Sequence, residues 1–274
     1  MAAAMKPSCK AVIFLLIGWL PGLLLATELR VEASRYRLEA LLTHPALREV
    51  EVADDAVLHR PMRYRALPLD ALLPGLRPGE RVQFIADDGF VAEIEAATLM
   101  GADGRWRAWL AVEDPTRPWP RAPGKPDLGP FYLVWTDPGD AGPEQWPYRI
   151  VAIRRREPQP APAALSPDPA LPAHAAAWRG FAVFQRNCLA CHTLNGAGAA
   201  QLGPDLNVPH NPTEYLPEAL LRAYLRDPQS LHRWPQARMR GFSPQQLSDA
   251  DLDALLAYLR HMAGRKRWTE DARP

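Results

Sequence analysis

The chain has 274 residues, of which 47% are hydrophobic and 23% are charged. That length suffices for two modest domains, each with a hydrophobic core of its own. The formal net charge of +1 gives no strong overall positive potential, and the sequence has no long basic run with interleaved aromatic residues, so we expect no nucleic-acid partner.

Residues 1–26 have the pattern of an export signal peptide. Two lysines provide positive charge, an apolar run follows over 11–25, and Ala26 provides a small residue before the polar stretch TELRVEA. We expect cleavage after Ala26 and a periplasmic location. The alternative is an uncleaved membrane anchor, although the apolar run is shorter than the ~20 residues of a spanning helix. Membrane association is expected only if the segment is uncleaved.

Residues 27–156 are predicted to form a β-rich domain. Short apolar stretches, several of them alternating with polar residues, are separated by Pro, Gly and Asp, as is typical of strands and turns. Two such runs lie within 80–100 on either side of Asp87, Asp88 and Gly89, which predicts a hairpin. The stretches PFYLVWTDP and YRIVAIRR have the apolar character of buried strands.

Residues 157–174, with the sequence EPQPAPAALSPDPALPAH, are rich in proline and alanine and contain almost no large apolar residue. Such a segment cannot form a core of its own. We therefore expect a semi-rigid, extended linker between two domains.

Residues 175–267 are predicted to be helical. The stretch AAAWRGFAVFQRN has aromatic residues at helical spacing, and PEALLRAYLRD begins with Pro217 at a first-turn position. A last helix is expected to begin at Ser248, whose hydroxyl can cap it, and four leucines form one apolar stripe along it. The predicted fold class is therefore two-domain α+β, with a β-rich N-terminal domain joined by a Pro/Ala-rich linker to an all-α domain.

The stretch NCLACHTLNGAG places Cys188, Cys191 and His192 in one cluster, and Cys9 lies within the predicted signal peptide. A zinc site would need a fourth ligand, and the remaining histidines are scattered singly. A thioredoxin-like redox pair needs its CxxC at a strand-to-helix junction, whereas here a predicted helix precedes it. Covalent haem attachment uses all three residues, because the two thiols can add to the porphyrin vinyl groups while the imidazole binds the iron.

The flanking sequence resembles the class I c-type cytochrome family along nearly all of 175–265. That family has a helix with a glycine and an aromatic residue, CxxCH, a GPxL loop, a methionine followed by a phenylalanine, and a last helix that ends in YL. The matching residues in this chain are Gly180, Phe184, CLACH, GPDL, Met239, Phe242 and AYL at 257–259. The C-terminal domain is thus expected to be an all-α cytochrome c domain.

This resemblance implies one covalently bound haem c. Cys188 and Cys191 would be the thioether anchors, His192 the proximal ligand and Met239 the distal ligand of the iron. The carbonyl of Pro204 would accept the other ring N–H of His192 and so fix its tautomer. The alternative distal ligands are His232 and Met262.

The N-terminal half resembles the oxidoreductase molybdopterin-binding domain of the sulfite oxidase type over most of 36–153. The resemblance is carried by RYRALPL, a short ALL helix, the DGF turn and the GPFYLVW strand. In that family a cysteine thiolate binds molybdenum, and this stretch contains no cysteine. We therefore expect a domain without a metal centre, used for docking or for shaping the surroundings of the haem.

Together these features predict a periplasmic monohaem c-type cytochrome, not itself an enzyme, that transfers single electrons between a dehydrogenase or oxidase and an acceptor. Arg233, Arg238 and Arg240 around Met239 favour a redox partner with an acidic docking face. One alternative is an oxidoreductase whose N-terminal domain binds a pterin-type cofactor and passes electrons to the haem, which stoichiometric molybdenum would reveal. Another is a sensor in which an external ligand displaces Met239, which carbon monoxide would test.

Overall fold

A computed structural model describes residues 28–100, 104–121, 127–139 and 145–268, so the predicted signal peptide lies outside the described residues. The strands are β1 (Glu28–Val31), β2 (Ser34–Arg37), β3 (Arg48–Val52), β4 (Met62–Pro68), β5 (Arg81–Ala86), β6 (Val91–Glu95), β7 (Ala108–Val112), β8 (Phe131–Trp135) and β9 (Ile150–Arg156). The helices are α1 (Leu38–Leu42), α2 (Ala96–Leu99), α3 (Ala176–Asn187), α4 (Pro212–Tyr215), α5 (Glu218–Arg226) and α6 (Asp249–Ala263), and a 3-10 turn lies at Leu69–Ala71. None of the helices in the described ranges has the length and apolar content needed to span a bilayer.

The β-rich N-terminal region consists of two sheets. One has the strand order β2-β1-β9-β5-β6 and the other the order β3-β4-β7-β8. Every residue of β7 and β8 is buried, and these strands form part of a single hydrophobic core together with residues of both sheets. The predicted β-rich domain is confirmed. Its first strand pairs in parallel with its last, β1 with β9, which joins the two ends of the region.

The predicted hairpin is confirmed as β5 and β6, which pair in antiparallel register from Arg81 opposite Glu95 to Ile85 opposite Val91. The connection at residues 87–90 is called the β5–β6 turn below. Gly89 has a φ of +91° in this turn, a backbone conformation that residues other than glycine rarely adopt.

The helical region is built on the crossing of α3 and α6. Gly180 of α3 lies against α6, and Phe181 and Phe184 stack against Tyr258 with ring centroids 5.6 and 5.3 Å apart. The cap predicted for α6 is confirmed, because Ser248 Oγ accepts the amide N–H of Asp251 at 3.1 Å. The leucines of the predicted stripe are all buried: Leu252, Leu255, Leu256 and Leu259. The predicted two-domain fold class is therefore confirmed.

Residues 157–174 differ from the extended linker that we predicted, because they pack on the helical region. Leu165 is 2% exposed and belongs to the core between the helices. Tyr258 Oη donates to the carbonyl of Leu165 at 2.6 Å, and Asp168 forms an ion pair with Arg265 at 2.6 Å. The segment is folded by short turns, in which the amides of Leu165 and Ser166 both donate to the carbonyl of Pro162. One leucine and these polar contacts hold the segment in place.

Candidate functional site

The CxxCH segment forms a tight turn that continues directly from α3. Cys188 is the C-terminal cap of the helix, and its amide donates to the carbonyl of Phe184 at 2.9 Å. The amides of Cys191 and His192 then both donate to the carbonyl of Cys188, at 3.0 and 2.9 Å. Cys188 is buried and Cys191 is half-buried. The turn therefore fixes the backbone positions of both thiols and the imidazole relative to α3.

The imidazole of His192 is oriented by the loop that contains Gly203 and Pro204. Its Nδ1 lies 2.8 Å from the carbonyl oxygen of Pro204. Since a carbonyl can only accept, Nδ1 carries the proton and Nε2 is left with a lone pair. Burial lowers the pKa of His192, although the Pro204 carbonyl and Asp205 partly oppose that effect. A neutral imidazole with a defined tautomer is the form that binds a metal ion.

Gly203 lies directly against the ring of His192. A Cβ atom on Gly203 would come within 2.5 Å of Cε1 and 2.6 Å of Nδ1 of that ring. These separations are far below van der Waals contact, so only glycine fits at this position. The backbone of the loop thus forms a cradle for one face of the imidazole.

A single carboxylate, that of Asp205, joins the loop after His192 to the loop after Pro204. It accepts five hydrogen bonds of 2.7–3.1 Å, from the amides of Asn195, Gly196, Asn207 and Val208 and from the hydroxyl of Thr193. Burial alone would raise the pKa of Asp205, but these hydrogen bonds outweigh it and lower the pKa. The ionised carboxylate is therefore part of the loop structure.

Three asparagines that the sequence analysis did not identify tie the same loops to the end of α6. Asn207 Nδ2 donates to Asn195 Oδ1 at 2.8 Å and to the carbonyl of Met262 at 2.7 Å. Asn211 Nδ2 donates to Asn207 Oδ1 at 2.8 Å and to the carbonyl of Leu259 at 3.0 Å. These amides add hydrogen bonds to two carbonyls in the C-terminal part of α6 and so attach the loops to the helix. The only feature of the sequence that could have pointed to them is the recurrence of asparagine in the segment between α3 and α4.

Met239 lies in a segment, residues 227–248, that contains neither helix nor strand. It is half-buried and packs with Phe242 against the helical core. The segment is attached to α5, since the amide of Phe242 donates to the carbonyl of Leu225 at 2.9 Å. A Cβ on Gly241 would lie 2.1 Å from the carbonyl oxygen of Arg226, so this attachment is close.

The alternative distal ligands have different surroundings. Met262 is 1% exposed and packs inside the helical core. His232 is exposed and stacks on Trp234, with the ring centroids 4.2 Å apart. Among the apolar residues near the site, Phe184 and Leu255 are buried in the helical core, Leu206, Phe242 and Met239 pack at its edge, and Trp234 is 60% exposed.

The donor set fits a covalently attached haem. Two thiols lie three residues apart on one turn, an imidazole follows with its Nε2 lone pair available, and a thioether is present on a separate loop. In the described parts of the chain, no group of three or more His, Cys, Asp or Glu side chains is arranged to hold a metal ion without a cofactor.

Comparison with known protein families found a match, which lies in the helical region. Residues 177–263, about a third of the chain, match the family model described as Cytochrome c. No curated protein matches the chain. The match covers α3 to α6 and all of the CxxCH and Met239 segments, and it does not extend into the two sheets.

Proposed function

We propose, from the cytochrome c domain that residues 177–263 form, that this protein is an exported, periplasmic monohaem electron carrier. A cytochrome c domain carries a c-type haem covalently and takes part in electron transfer. The periplasmic location, the single haem and the redox partners are our proposals. One CxxCH segment in the sequence supports a single haem, and the export pattern of residues 1–26 supports the location.

The observation that carries the proposal is the hydrogen bond between His192 and Pro204. It sets the Nδ1–H tautomer and, with Gly203 against the ring, holds Nε2 in one direction. Cys188 and Cys191 on the preceding turn would anchor the haem by thioether bonds. When bound, the haem supplies an iron that exchanges one electron at a time.

Met239 is proposed as the second axial ligand because of how its loop is held. The contacts of Phe242 with Leu225 and of Gly241 with Arg226 attach the backbone just after Met239 to the end of α5. A methionine thioether is a poor donor and raises the reduction potential of the iron. If His192 and Met239 both held the iron, the haem would exchange electrons rather than bind a substrate, which favours electron transfer over catalysis or gas sensing.

The partner is proposed to be a dehydrogenase or oxidase with an acidic docking face. Arg238 is paired with Asp88 of the same chain, so Arg233 supplies the positive charge that we assign to an external partner. Leu231 and Trp234 beside it are exposed, at 42% and 60%. An aromatic residue next to an arginine is a common composition for a protein interface.

The β-rich region is proposed to be a scaffold without molybdenum. Residues 27–156 contain no cysteine, so the soft ligand of the sulfite oxidase type is missing. The competing oxidoreductase hypothesis requires molybdenum and pterin in amounts equal to haem in the purified protein. Elemental and cofactor analysis separates the two.

The test of the proposed axial ligands is the visible spectrum of the oxidised and reduced protein. We expect a weak long-wavelength band in the oxidised form that reports methionine sulfur on iron. Met239→Ala should abolish it, whereas Met262→Leu, a change of similar volume in the core, should retain it. A Met239→Ala protein that kept the band would place the ligand elsewhere.

A further inference from the structure

The β5–β6 turn and Val91, the first residue of β6, contact the haem-binding segments directly. The amide of Val91 donates to the carbonyl of Ala190, between the two cysteines, at 3.0 Å. The amide of Gln201, two residues before the glycine that cradles the imidazole, donates to the carbonyl of Gly89 at 2.9 Å. A Cβ on Gly89 would lie 3.2 Å from the carbonyl carbon of Gln201, so the backbones approach closely.

A third contact of this turn reaches the methionine loop. Arg238, the residue before Met239, donates from Nη1 to Asp88 Oδ2 at 3.2 Å. The side chain of Asp88 is 18% exposed, so water screens this pair less than a pair between two fully exposed groups. The other oxygen of Asp88 accepts the amide of Phe90 at 3.1 Å, which orients the carboxylate within the turn.

The neighbouring carboxylate has a different partner. Asp87 Oδ2 accepts from Arg149 Nε at 3.0 Å, and Arg149 belongs to the same N-terminal region. Asp87 therefore stabilises the turn from within, whereas Asp88 joins it to the helical domain. The two adjacent residues have the same chemistry, which makes Asp87 a matched control for Asp88.

From these three contacts we infer that Asp88 is a positioning residue for Met239, and that the N-terminal region braces the haem site through the β5–β6 turn. This inference rests on the proposed function, in which Met239 is the distal ligand. The CxxCH turn, the loop before Gly203 and the methionine loop must keep a fixed spacing around one cofactor. The β5–β6 turn and Val91 together contact all three segments.

The brace acts on the methionine loop. Residues 227–248 have no regular secondary structure, and a methionine on such a segment can move away from the iron. The Asp88 contact favours the conformation in which Arg238 is held against the N-terminal region and Met239 packs against the helical core. Loss of the contact therefore increases the population in which an external ligand replaces Met239.

The experiment uses full-length, haem-loaded protein and measures the affinity of the oxidised form for added imidazole, together with the long-wavelength band. Asp88→Asn keeps an acceptor for the Phe90 amide but removes the charge. We expect it to increase imidazole affinity by about two- to five-fold, the range for a partly exposed ion pair. Asp87→Asn, which loses a contact within the N-terminal region and none with the helical domain, should raise the affinity less than Asp88→Asn does.

The partner variant and the double variant complete the test. Arg238→Gln should raise imidazole affinity as Asp88→Asn does, and the double variant should add nothing further, because both changes remove one contact. Gly89→Ala, which pushes the turn away from Gln201, should increase the affinity as well. Equal affinities in Asp88→Asn, Asp87→Asn and the unmodified protein, or additive effects in the double variant, would overturn the inference.

The outcomes also separate this inference from the proposed function. If Met239→Ala abolishes the band while Asp88→Asn changes neither the band nor imidazole affinity, the electron-carrier proposal stands and the brace does not. If the protein carries no haem, both are wrong. Should Asp88→Asn fail to fold, the more exposed Arg238→Gln variant, with Arg238 at 58% exposure, decides the question alone.

Discussion

Gly180 of α3 lies so close to Ala254 of α6 that a Cβ on Gly180 would come within 1.9 Å of the Ala254 carbonyl oxygen. The same Cβ would lie 2.6 Å from the Cβ of Tyr258. One contact is with helix backbone and the other with a Cβ atom, and neither atom can be moved by a change of side-chain rotamer. The crossing of the two helices therefore depends on the absence of a side chain at position 180, and this crossing carries the CxxCH turn at the end of α3.

Gly180→Ala is expected to destabilise the helical domain, because α3 and α6 must separate to admit a methyl group. Overpacking of this kind costs about 1–3 kcal/mol or more. The free energy of unfolding in urea, followed by haem absorbance, measures the effect. Gly264→Ala is the control, since its nearest atom would be 3.7 Å away, and its unfolding free energy should change little. Equal stability of the two variants would contradict the close crossing.

Gly203→Ala is expected to displace the imidazole of His192, because the new methyl group would overlap the ring at 2.5 Å. The displaced ring would lose its hydrogen bond to Pro204 and bind iron weakly. We expect a high-spin fraction in the electron paramagnetic resonance spectrum of the oxidised protein, where the unmodified protein is low-spin. Gly79→Ala, whose Cβ would have no atom within 4 Å, should remain fully low-spin. A low-spin Gly203→Ala protein would show that the loop does not orient the ligand.

Asn207→Leu is expected to destabilise the loops around the site. The substitution keeps the volume but removes the side-chain hydrogen bonds of Asn207 to Asn195 and Met262. It also leaves one N–H of the Asn211 side-chain amide without its acceptor in a buried region. Each orphaned buried group costs about 1–3 kcal/mol. Urea unfolding measures the total loss of unfolding free energy. Leu220→Gln, at an exposed position of α5 outside the asparagine network, is the control substitution. A loss below about 1 kcal/mol would mean that water replaces the network.

Asp205→Asn is expected to change how stability depends on pH. The pKa of Asp205 is lowered below its ordinary value of 3.8 by the hydrogen bonds it accepts, despite the opposing effect of burial. A depressed pKa in the folded state contributes stability above the unfolded-state pKa, and this contribution is lost as pH falls through the folded-state value. The unmodified protein should thus lose stability below about pH 4 more steeply than Asp205→Asn.

Urea midpoints measured near neutral pH and near pH 3 compare the two proteins. Near neutral pH the Asp205→Asn variant should already be less stable, by about 1–3 kcal/mol, because an amide cannot accept all the hydrogen bonds of the carboxylate. Asp54→Asn, at an exposed position, is the control and should follow the unmodified protein. Parallel pH profiles for all three proteins would contradict the assignment to Asp205.

The elements that could be predicted from sequence are those with a local signal. The β5–β6 hairpin has a DDG turn between two alternating runs, and α6 has a serine cap followed by a leucine stripe. In both cases residues near in sequence determine the structure by periodicity and turn conformation. The CxxCH segment could be identified for the same reason, because Cys188, Cys191 and His192 are close together in the sequence.

The rest of the structure depends on contacts that no local pattern encodes. Leu165 looked too isolated to form a core, but it is buried by helices that come later in the chain. The parallel pairing of β1 with β9 and the contact of Asp88 with Arg238 join residues far apart in sequence. Such contacts follow from the complementarity of surfaces that form only after both regions have folded. From the sequence alone, Asp88 could not be distinguished from an aspartate that only forms a turn.

The most direct test of the account is the intact mass of the mature protein made in a host that attaches c-type haem. We predict the mass of the polypeptide from Thr27 onward plus one haem, with the haem retained after acid-organic extraction because Cys188 and Cys191 bind it covalently. A Cys188→Ala, Cys191→Ala protein should lose that covalent mass. A mature chain that weighs no more than its amino acids would contradict the central claim.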